Sequence, residues 1–191
     1  LVRLQNVGLN PRRIALLDVL GRMGANVEVE LISKKDVAEP YGDITIRGTL
    51  LKGTDVGAHE VPNLIDELPL VAVLGALAEG ETRICDAGEL RVKESDRIST
   101  VIKNLTVFGV DVEEKEDGMI IRGPAGLDSP AIVHSYGDHR VAMAMAALAS
   151  YSASPTTVCD IACTETSYPG FWGDLRHMGA TVEFIENSGC D

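Results

Sequence analysis

The most regular feature of the hydropathy pattern is a segment that occurs three times. Each copy starts at the end of an apolar stretch of helical period, passes through a glycine, and continues with alternating apolar and polar positions. The three copies are residues 20–28, 105–113 and 175–183. Glycine readily adopts the left-handed conformation that ends a helix, so Gly24, Gly109 and Gly179 predict three helix ends, each followed by a strand.

Two further elements recur around this segment. Residues 44–48 and 119–123 are short apolar stretches closed by glycine, which is typical of strands. Residues 66–79 and 138–150 are apolar or small nearly all round, a pattern that indicates buried helices rather than surface ones. The strands predicted to follow these helices are residues 82–86 and 157–160.

The repeat predicts an α/β fold of quasi-threefold construction. Each unit reads strand, helix, strand, strand and buried helix, and the units should pack around shared buried helices. Two units are complete, whereas the third stops after a strand at residues 182–185. No linker or charge block divides the chain, so we expect residues 1–191 to form a single domain. Because the last strand and the buried helix of the third unit are absent, we expect another segment of a longer chain to supply them. The chain does not begin with Met, which also fits a piece of a longer protein.

Composition narrows the possible functions. Asp and Glu number 29 against 17 Lys and Arg, a net charge of −12, and aromatic residues make up 4% of the chain, so a general nucleic-acid binder is disfavoured. The apolar runs at residues 68–78 and 141–149 are shorter than the ~20 residues that span a bilayer, so no membrane span is expected. Four cysteines are too few for a disulfide framework, which favours a reducing, cytoplasmic setting.

Polar residues gather at the predicted helix starts. They are Asp66, the run at residues 91–97 and the run at residues 136–140. If the units are related by threefold symmetry, these starts converge, and their exposed N–H groups favour an anion such as phosphate or carboxylate. Arg97 and Arg140 can each grip an oxyanion as a planar fork. Neighbouring acids and Lys93 could move protons beside the bound anion.

A purely structural interpretation is also open. Asp66, Asp96 and Asp138 are good N-cap residues in any helix, and the run at 93–97 could be a solvated helix start with exposed ion pairs. Cys159 and Cys163 have metal-like spacing, but no second pair accompanies them, so we expect ordinary small buried cysteines and no metal. Neither a phosphate loop nor a Gly-x-Gly-x-x-Gly fingerprint occurs, so no nucleotide cofactor is expected.

The polar runs carry a family resemblance. Leu90-Arg-Val-Lys-Glu-Ser-Asp-Arg97 and Asp138-His-Arg140 resemble two signatures of the 5-enolpyruvylshikimate-3-phosphate (EPSP) synthase family. Asp66 before Leu-Pro-Leu-Val-Ala resembles the acidic residue ahead of that family's buried helix, and Ser167-Tyr-Pro169 also fits. The resemblance runs over essentially the whole chain.

The resemblance implies a particular architecture. The family has two similar domains, each made of three βαβαββ-type units, and its N-terminal segment crosses back to complete the domain that this chain resembles. The chain therefore resembles the C-terminal half of an enzyme. The other half would carry a catalytic lysine, an arginine and most contacts to the substrate phosphate, so we expect the isolated chain to be inactive.

The resemblance also implies a reaction. The family transfers the enolpyruvyl group of phosphoenolpyruvate to the 5-hydroxyl of shikimate 3-phosphate and releases phosphate, without a metal or cofactor. By position, Asp66 and Lys93 would contact the shikimate hydroxyls and help deprotonate one, and Glu94 would protonate the methylene carbon. Glyphosate would occupy the phosphoenolpyruvate site of the complete enzyme.

The remaining site residues are expected to bind the anions. Arg97 and Arg140 would hold the carboxylate and phosphate of phosphoenolpyruvate, with Glu94 and His139 completing that pocket. Glu89 occupies a position that contacts shikimate phosphate in some relatives, so it would help to bind shikimate 3-phosphate. One position departs from the family pattern, because many relatives have a lysine near Thr166 and this chain has none there.

Two alternatives remain open. The sister enolpyruvyl transferase that acts on UDP-N-acetylglucosamine shares the fold, although the two signatures favour the shikimate enzyme. The other alternative is a non-catalytic domain that only binds a partner, which is consistent with the acidic charge and the missing half.

Overall fold

The computed structural model describes residues 1–33, 39–186 and 190. The strands are β1 Val2–Gly8, β2 Asn26–Leu31, β3 Tyr41–Arg47, β4 Asp55–Val56, β5 Gly80–Ile84, β6 Asp111–Lys115, β7 Gly118–Gly123, β8 Ala131–His134 and β9 Thr156–Cys159. The α-helices are α1 Ala15–Arg22, α2 Val61–Leu64, α3 Leu68–Leu77, α4 Arg97–Val107, α5 His139–Ala149 and α6 Phe171–His177. Two 3₁₀ helices span Gly88–Val92 and Ile161–Thr166.

The first two units have the same sheet topology. In the first, β3 lies between β1 and β2, and in the second, β7 lies between β5 and β6, with every pair antiparallel. The short strand β4 then pairs in parallel with β5, and β8 pairs in parallel with β9, so the last strand of each unit joins the sheet of the next. The predicted α/β repeat is confirmed. The sequence pattern missed β4 and β8 because two and four residues are too few to show alternation.

Glycine ends three helices, as predicted. Gly24, Gly109 and Gly179 have φ of 84°, 78° and 107°, and each follows the end of α1, α4 or α6. The residue after each glycine donates its backbone N–H to a carbonyl of the preceding helix turn, which satisfies the helix end. Strands β2 and β6 follow the first two glycines as expected.

The third unit differs from the prediction. Residues 181–185 form no strand, and Phe184 and Ile185 are 60% and 64% exposed. In the first two units the equivalent strands, β2 and β6, pair with a central strand. The described part of the third unit contains no such strand, and extended backbone without a hydrogen-bonding neighbour is not a strand. A cavity of about 1180 Å³ lies between β9 and residues 179–186.

The cysteine prediction is wrong for two positions. Cys159, at the end of β9, forms a disulfide with Cys190, and the two Cα atoms are 5.8 Å apart. Cys85 and Cys163 are free thiols. The paired cysteines lie 31 residues apart, so only the fold reveals that they are neighbours. Within the described ranges, no three His, Cys, Asp or Glu side chains are arranged to hold a metal ion.

The two buried helices form the centre of the core. Helix α3 packs against α4, α5, β5 and β7, which explains why its residues are apolar on every side. Helix α5 buries Val141, Met145 and Leu148 completely in the same cluster. A Cβ atom at Gly75 would lie 2.8 Å from the Thr82 Cβ, so this glycine allows α3 to approach β5 closely. No helix in the described ranges is long and apolar enough to span a bilayer.

Candidate active site

Three helix starts meet around one guanidinium group. Asp66 lies in the turn between α2 and α3, Arg97 is the first residue of α4, and Asp138 immediately precedes α5. The threefold arrangement of the units places these positions together although they are far apart in sequence. The predicted convergence of helix starts is therefore present in the fold.

Arg97 binds three carboxylates. Its Nε donates to Asp138 Oδ2 at 2.8 Å, its Nη1 to Asp66 Oδ1 at 3.2 Å, and its Nη2 to Glu94 Oε2 at 2.6 Å. The Arg97 side chain is 1% exposed. Burial opposes its charge, but the hydrogen bonds and charges of these carboxylates outweigh burial and raise the pKa of Arg97. Arg97 therefore keeps its charge despite its burial.

Asp138 is the fully buried centre of this network. One carboxylate oxygen accepts from the backbone N–H groups of Arg140 and Val141, and the other accepts from Arg97 Nε and, at 3.1 Å, from Ser95 Oγ. Burial opposes ionisation, but the bonds and charge of Arg97 and the backbone donors lower the pKa of Asp138 overall. Sequence reasoning had assigned Asp138 only as an N-cap, and its second oxygen, which binds Arg97 and Ser95, was missed.

The N-cap interpretation holds for two of the three aspartates. Asp138 caps α5, and Asp96 caps α4 by accepting from Ser99 N at 3.0 Å. Asp66 caps no helix, since Glu67 occupies the N-cap of α3 and forms no side-chain cap bond. The side chains of Asp96 and Asp138 thus already occupy backbone donors at the starts of α4 and α5. The expected anion site at these helix ends therefore depends on side chains more than on free N–H groups.

Arg140 has a buried donor that no described residue satisfies. Its Nη2 lies 3.2 Å from Asp66 Oδ2, so Asp66 bridges Arg97 and Arg140 with its two oxygens. The Arg140 Nε is buried and has no hydrogen-bond partner in the described part of the chain, while 29% of the side chain is exposed. A buried N–H without an acceptor costs about 1–3 kcal/mol. An anion oxygen placed at this nitrogen would remove that cost.

The other predicted residues lie around the cluster. Lys93 Nζ is 3.3 Å from Glu89 Oε1, and the two side chains are 27% and 65% exposed. His139 is the first residue of α5 and is half-buried; within the described residues it forms no hydrogen bond or ion pair. Thr166 ends the 3₁₀ helix Ile161–Thr166, and its hydroxyl donates to the Cys163 carbonyl. The structure thus joins four of the predicted residues by hydrogen bonds: Asp66, Glu94, Arg97 and Arg140. The side chains of the other three, Lys93, Glu89 and His139, form no hydrogen bond with that cluster in the described ranges.

Comparison with known proteins identifies the family. The family model of EPSP synthase, 3-phosphoshikimate 1-carboxyvinyltransferase, matches residues 1–175. The chain belongs to the EPSP synthase family. The 3-phosphoshikimate 1-carboxyvinyltransferase of Salinibacter ruber is 47% identical over 180 residues, and that of Akkermansia muciniphila is 48% identical over 176 residues. These matches confirm the resemblance seen in the two polar runs.

Solved structures of this family have the same fold. EPSP synthase from Acinetobacter baumannii is 36% identical with a TM-score of 0.88, and the match covers 97% of this chain. The enolpyruvyl transferase NikO from Streptomyces tendae is 21% identical with a TM-score of 0.75, which shows a shared fold. The chain covers 42% of the Salinibacter relative and 43% of the Acinetobacter protein. It therefore spans about two fifths of the length of the EPSP synthases that it matches.

Proposed function

We propose that this chain is the C-terminal, single-domain part of a 3-phosphoshikimate 1-carboxyvinyltransferase of the shikimate pathway. The complete enzyme would transfer the enolpyruvyl group of phosphoenolpyruvate to the 5-hydroxyl of shikimate 3-phosphate and release phosphate. The observation that carries the proposal is the Asp66-bridged pair of Arg97 and Arg140, found in a chain that belongs to this family. The N-terminal part of the same enzyme would complete the active site.

The proposed reaction has an addition step and an elimination step. In the first, the 5-hydroxyl oxygen bonds to C2 of phosphoenolpyruvate while the hydroxyl loses its proton and the methylene carbon gains one. In the second, the C2–O bond to phosphate breaks, and the new methyl group loses a proton to restore the double bond. Both steps need a group that moves protons close to a tightly held dianion.

Three residues are proposed to move or position protons. Asp66 and Lys93 would contact the shikimate hydroxyls and help deprotonate the attacking one. Glu94 would protonate the methylene carbon after its carboxylate has taken up a proton from water, which its half-exposed position at the edge of the cluster allows. Exchange of the Arg97 bond of Glu94 for a substrate contact would free this carboxylate for the reaction.

The two arginines are proposed to hold phosphoenolpyruvate. The exposed part of Arg140 would be the first point of contact, and its buried, unpaired Nε would then gain an acceptor. Arg97 is enclosed by carboxylates, so an anion would reach it by displacing Asp66 or Glu94, which shifts those two groups toward the other substrate. His139 would border this pocket, and Glu89 would face the shikimate side. Phosphate binding would need cations beyond this chain, because the charges of Lys93 and the two arginines are balanced by Asp66, Glu94 and Asp138.

A cytoplasmic location is part of the proposal. It is supported by the small number of cysteines, four in 191 residues. The disulfide between Cys159 and Cys190 argues against this location, because disulfides rarely persist in a reducing compartment. Glyphosate is proposed to compete with phosphoenolpyruvate in the complete enzyme.

The proposal is tested by assembly with the missing part. The chain would be combined with the N-terminal three fifths of the Salinibacter ruber relative, and phosphate release would be measured with both substrates. We expect no phosphate release from the chain alone and release after assembly when both substrates are present. Neither substrate by itself should support release, and Glu94→Gln should abolish it. Arg122→Gln, on the far face of the β5–β7–β6 sheet, serves as the matched control and should leave turnover unchanged.

Three results would contradict the proposal. Turnover by the chain alone would show that the site is not shared between two parts. Transfer to UDP-N-acetylglucosamine instead of shikimate 3-phosphate would favour the sister enzyme. An assembled, folded protein that binds neither substrate would favour a non-catalytic domain.

A further inference from the structure

Arg91 connects two segments that the sequence keeps apart. It lies in the 3₁₀ helix Gly88–Val92, and its Nε and Nη2 each donate at 2.6 Å to the backbone carbonyls of Glu116 and Lys115. Lys115 is the last residue of β6, and Glu116 lies in the turn between β6 and β7. The Glu114 carboxylate lies 3.0 Å from Arg91 Nη2 and adds a charge to the same contact.

The remaining donor of Arg91 reaches the start of α4. Nη1 lies 2.8 Å from Asp96 Oδ2, while the other oxygen of Asp96 caps the helix through Ser99 N. Arg91 and Asp96 therefore hold the two ends of residues 92–95. That short segment carries both Lys93 and Glu94. The hydrogen bonds of Asp96 and then Glu114 raise the pKa of Arg91, so its guanidinium stays charged.

A second contact fixes the same turn to the preceding segment. Asp117 accepts the backbone N–H of Asp86 through its carboxylate at 3.2 Å and the N–H of Ala87 through its carbonyl at 2.7 Å. The turn between β6 and β7 is thus tied to the chain before the 3₁₀ helix, and Arg91 ties it to the chain after that helix. Between them, these contacts leave residues 92–95 little freedom to move relative to the sheet.

We propose that Arg91 is a positioning residue for the candidate active site. It holds residues 92–95 in the conformation that keeps Glu94 against Arg97. The reactive role of Glu94 in this inference rests on the proposed function. Arg91 contacts no reacting atom; it acts through the segment that it clamps, because a misplacement of about 1 Å in a catalytic group can lower a rate about 100-fold.

The charge-matched substitution Arg91→Lys tests the clamp. An ammonium group cannot bond at once to two backbone carbonyls and to Asp96, whereas the guanidinium fork does. The Arg91 side chain is 28% exposed and lies outside the core cluster, so the variant should fold. Arg122→Lys is the control, because Arg122 also makes several charged contacts, with Glu81, Asp111 and Glu113, but on the outer side of the sheet.

The first measurement is amide hydrogen exchange on the 191-residue chain. In Arg91→Lys we expect the amides of Ser99 and Thr100, which donate to Asp96, to exchange about 10-fold faster, the effect of losing the charge-assisted bond that holds Asp96, with unchanged exchange in α3 and α5. Asp96→Asn is a second variant, since asparagine still caps the helix but weakens the Arg91 link, and it should accelerate the same amides. Arg122→Lys should leave them unchanged. Unchanged exchange in both Arg91→Lys and Asp96→Asn overturns the inference.

The second measurement is steady-state kinetics on the assembled enzyme. We expect Arg91→Lys to lower kcat about 10- to 100-fold while KM for phosphoenolpyruvate changes less than about threefold, because the arginine grip is intact and only the proton-transfer group is displaced. A normal kcat in an active assembly, with or without faster exchange, overturns the inference. An inactive wild-type assembly contradicts the proposed function instead, and the exchange result alone then decides whether Arg91 holds the segment.

Discussion

Arg97 and Asp138 form a buried ion pair in which the guanidinium Nε lies 2.8 Å from the carboxylate Oδ2. Their side chains are 1% and 0% exposed. Two charges removed from water are costly unless their remaining donors and acceptors are also satisfied. Here Ser95 and the backbone of α5 complete Asp138, and Asp66 and Glu94 complete Arg97. The candidate site is therefore held by the same bonds that stabilise the packing of α4 against α5.

Asp138→Asn should destabilise the protein strongly. Asparagine can still cap α5, but it leaves Arg97 without its buried counter-ion, and removing one partner of such a pair costs about 3–5 kcal/mol. Urea unfolding measures the loss. Asp111→Asn, which removes a 3.4 Å surface pair with Arg122, is the control and should change stability by less than about 0.5 kcal/mol. Equal effects of the two substitutions would show that burial of the Arg97 pair contributes little.

The same pair should make stability depend on pH in the acid range. The folded-state pKa of Asp138 lies below its ordinary value of 3.8, so the unfolded chain binds a proton first as pH falls. The contribution of Asp138 is fully present above the unfolded pKa and is lost as pH falls through the folded pKa. Unfolding midpoints measured between about pH 2 and pH 6 should fall more steeply for the wild type than for Asp138→Asn. Parallel curves would contradict this assignment.

Gly109→Ala should destabilise the end of α4. Gly109 has φ of 78°, and a Cβ atom in this conformation costs about 1–2 kcal/mol. Gly48 is exposed, lacks a positive φ and has no atom within 4 Å of an added Cβ, so Gly48→Ala should be neutral or slightly stabilising. Thermal unfolding of both variants checks the difference. A neutral Gly109→Ala would show that the left-handed turn is not required.

Two glycines inside helices should respond to alanine in opposite ways. Gly75→Ala would place a Cβ atom 2.8 Å from the Thr82 Cβ, and such overpacking costs about 1–3 kcal/mol. Gly21→Ala in α1 meets nothing within 4 Å, so it should gain about 0.5–1 kcal/mol from better helix propensity. Chemical denaturation of the pair separates packing from propensity. Stabilisation by both substitutions would mean that α3 and β5 are less closely packed than the structure shows.

The disulfide predicts a definite thiol count. Under denaturing conditions without reductant, only Cys85 and Cys163 should react, and reduction should expose Cys159 and Cys190 as well. Cys163→Ser should lose one reactive thiol and keep the cross-link, which serves as the control. Four reactive thiols in protein taken directly from the cell, and two after exposure to air, would place disulfide formation outside the reducing compartment.

The elements that sequence reasoning found are those whose causes are local. Gly109 ends α4 because its own backbone conformation permits the turn, and α5 reads as buried because its own residues are apolar on all sides. Strands β4 and β8 were missed because they are short and exist only through their partners β5 and β9. The strand expected at residues 182–185 does not form for the same reason, because the described part of that unit has no central strand equivalent to β3 or β7.

The candidate site shows the same division. The sequence predicted that Asp66, Glu94, Arg97 and Arg140 belong to one site, with a helix-cap role for Asp66 also open, and it gave no sign of the clamp by Arg91. Asp66 binds Arg97 across 31 positions and Arg140 across 74, and Arg91 reaches the turn between β6 and β7 across 25. Such pairings depend on how distant elements are packed, which no local pattern contains.

The sequence by itself determined the repeated unit, the helix ends, the buried helices and the family, because periodicity, glycine conformation and the signature runs are properties of contiguous residues. Only the tertiary structure decided which carboxylate each guanidinium donor binds, that the backbone donors at the start of α5 are already taken by Asp138, and that Cys159 meets Cys190. These relationships arise when strands and helices far apart in the chain are brought into contact, and their energies come from burial and geometry that exist only after folding.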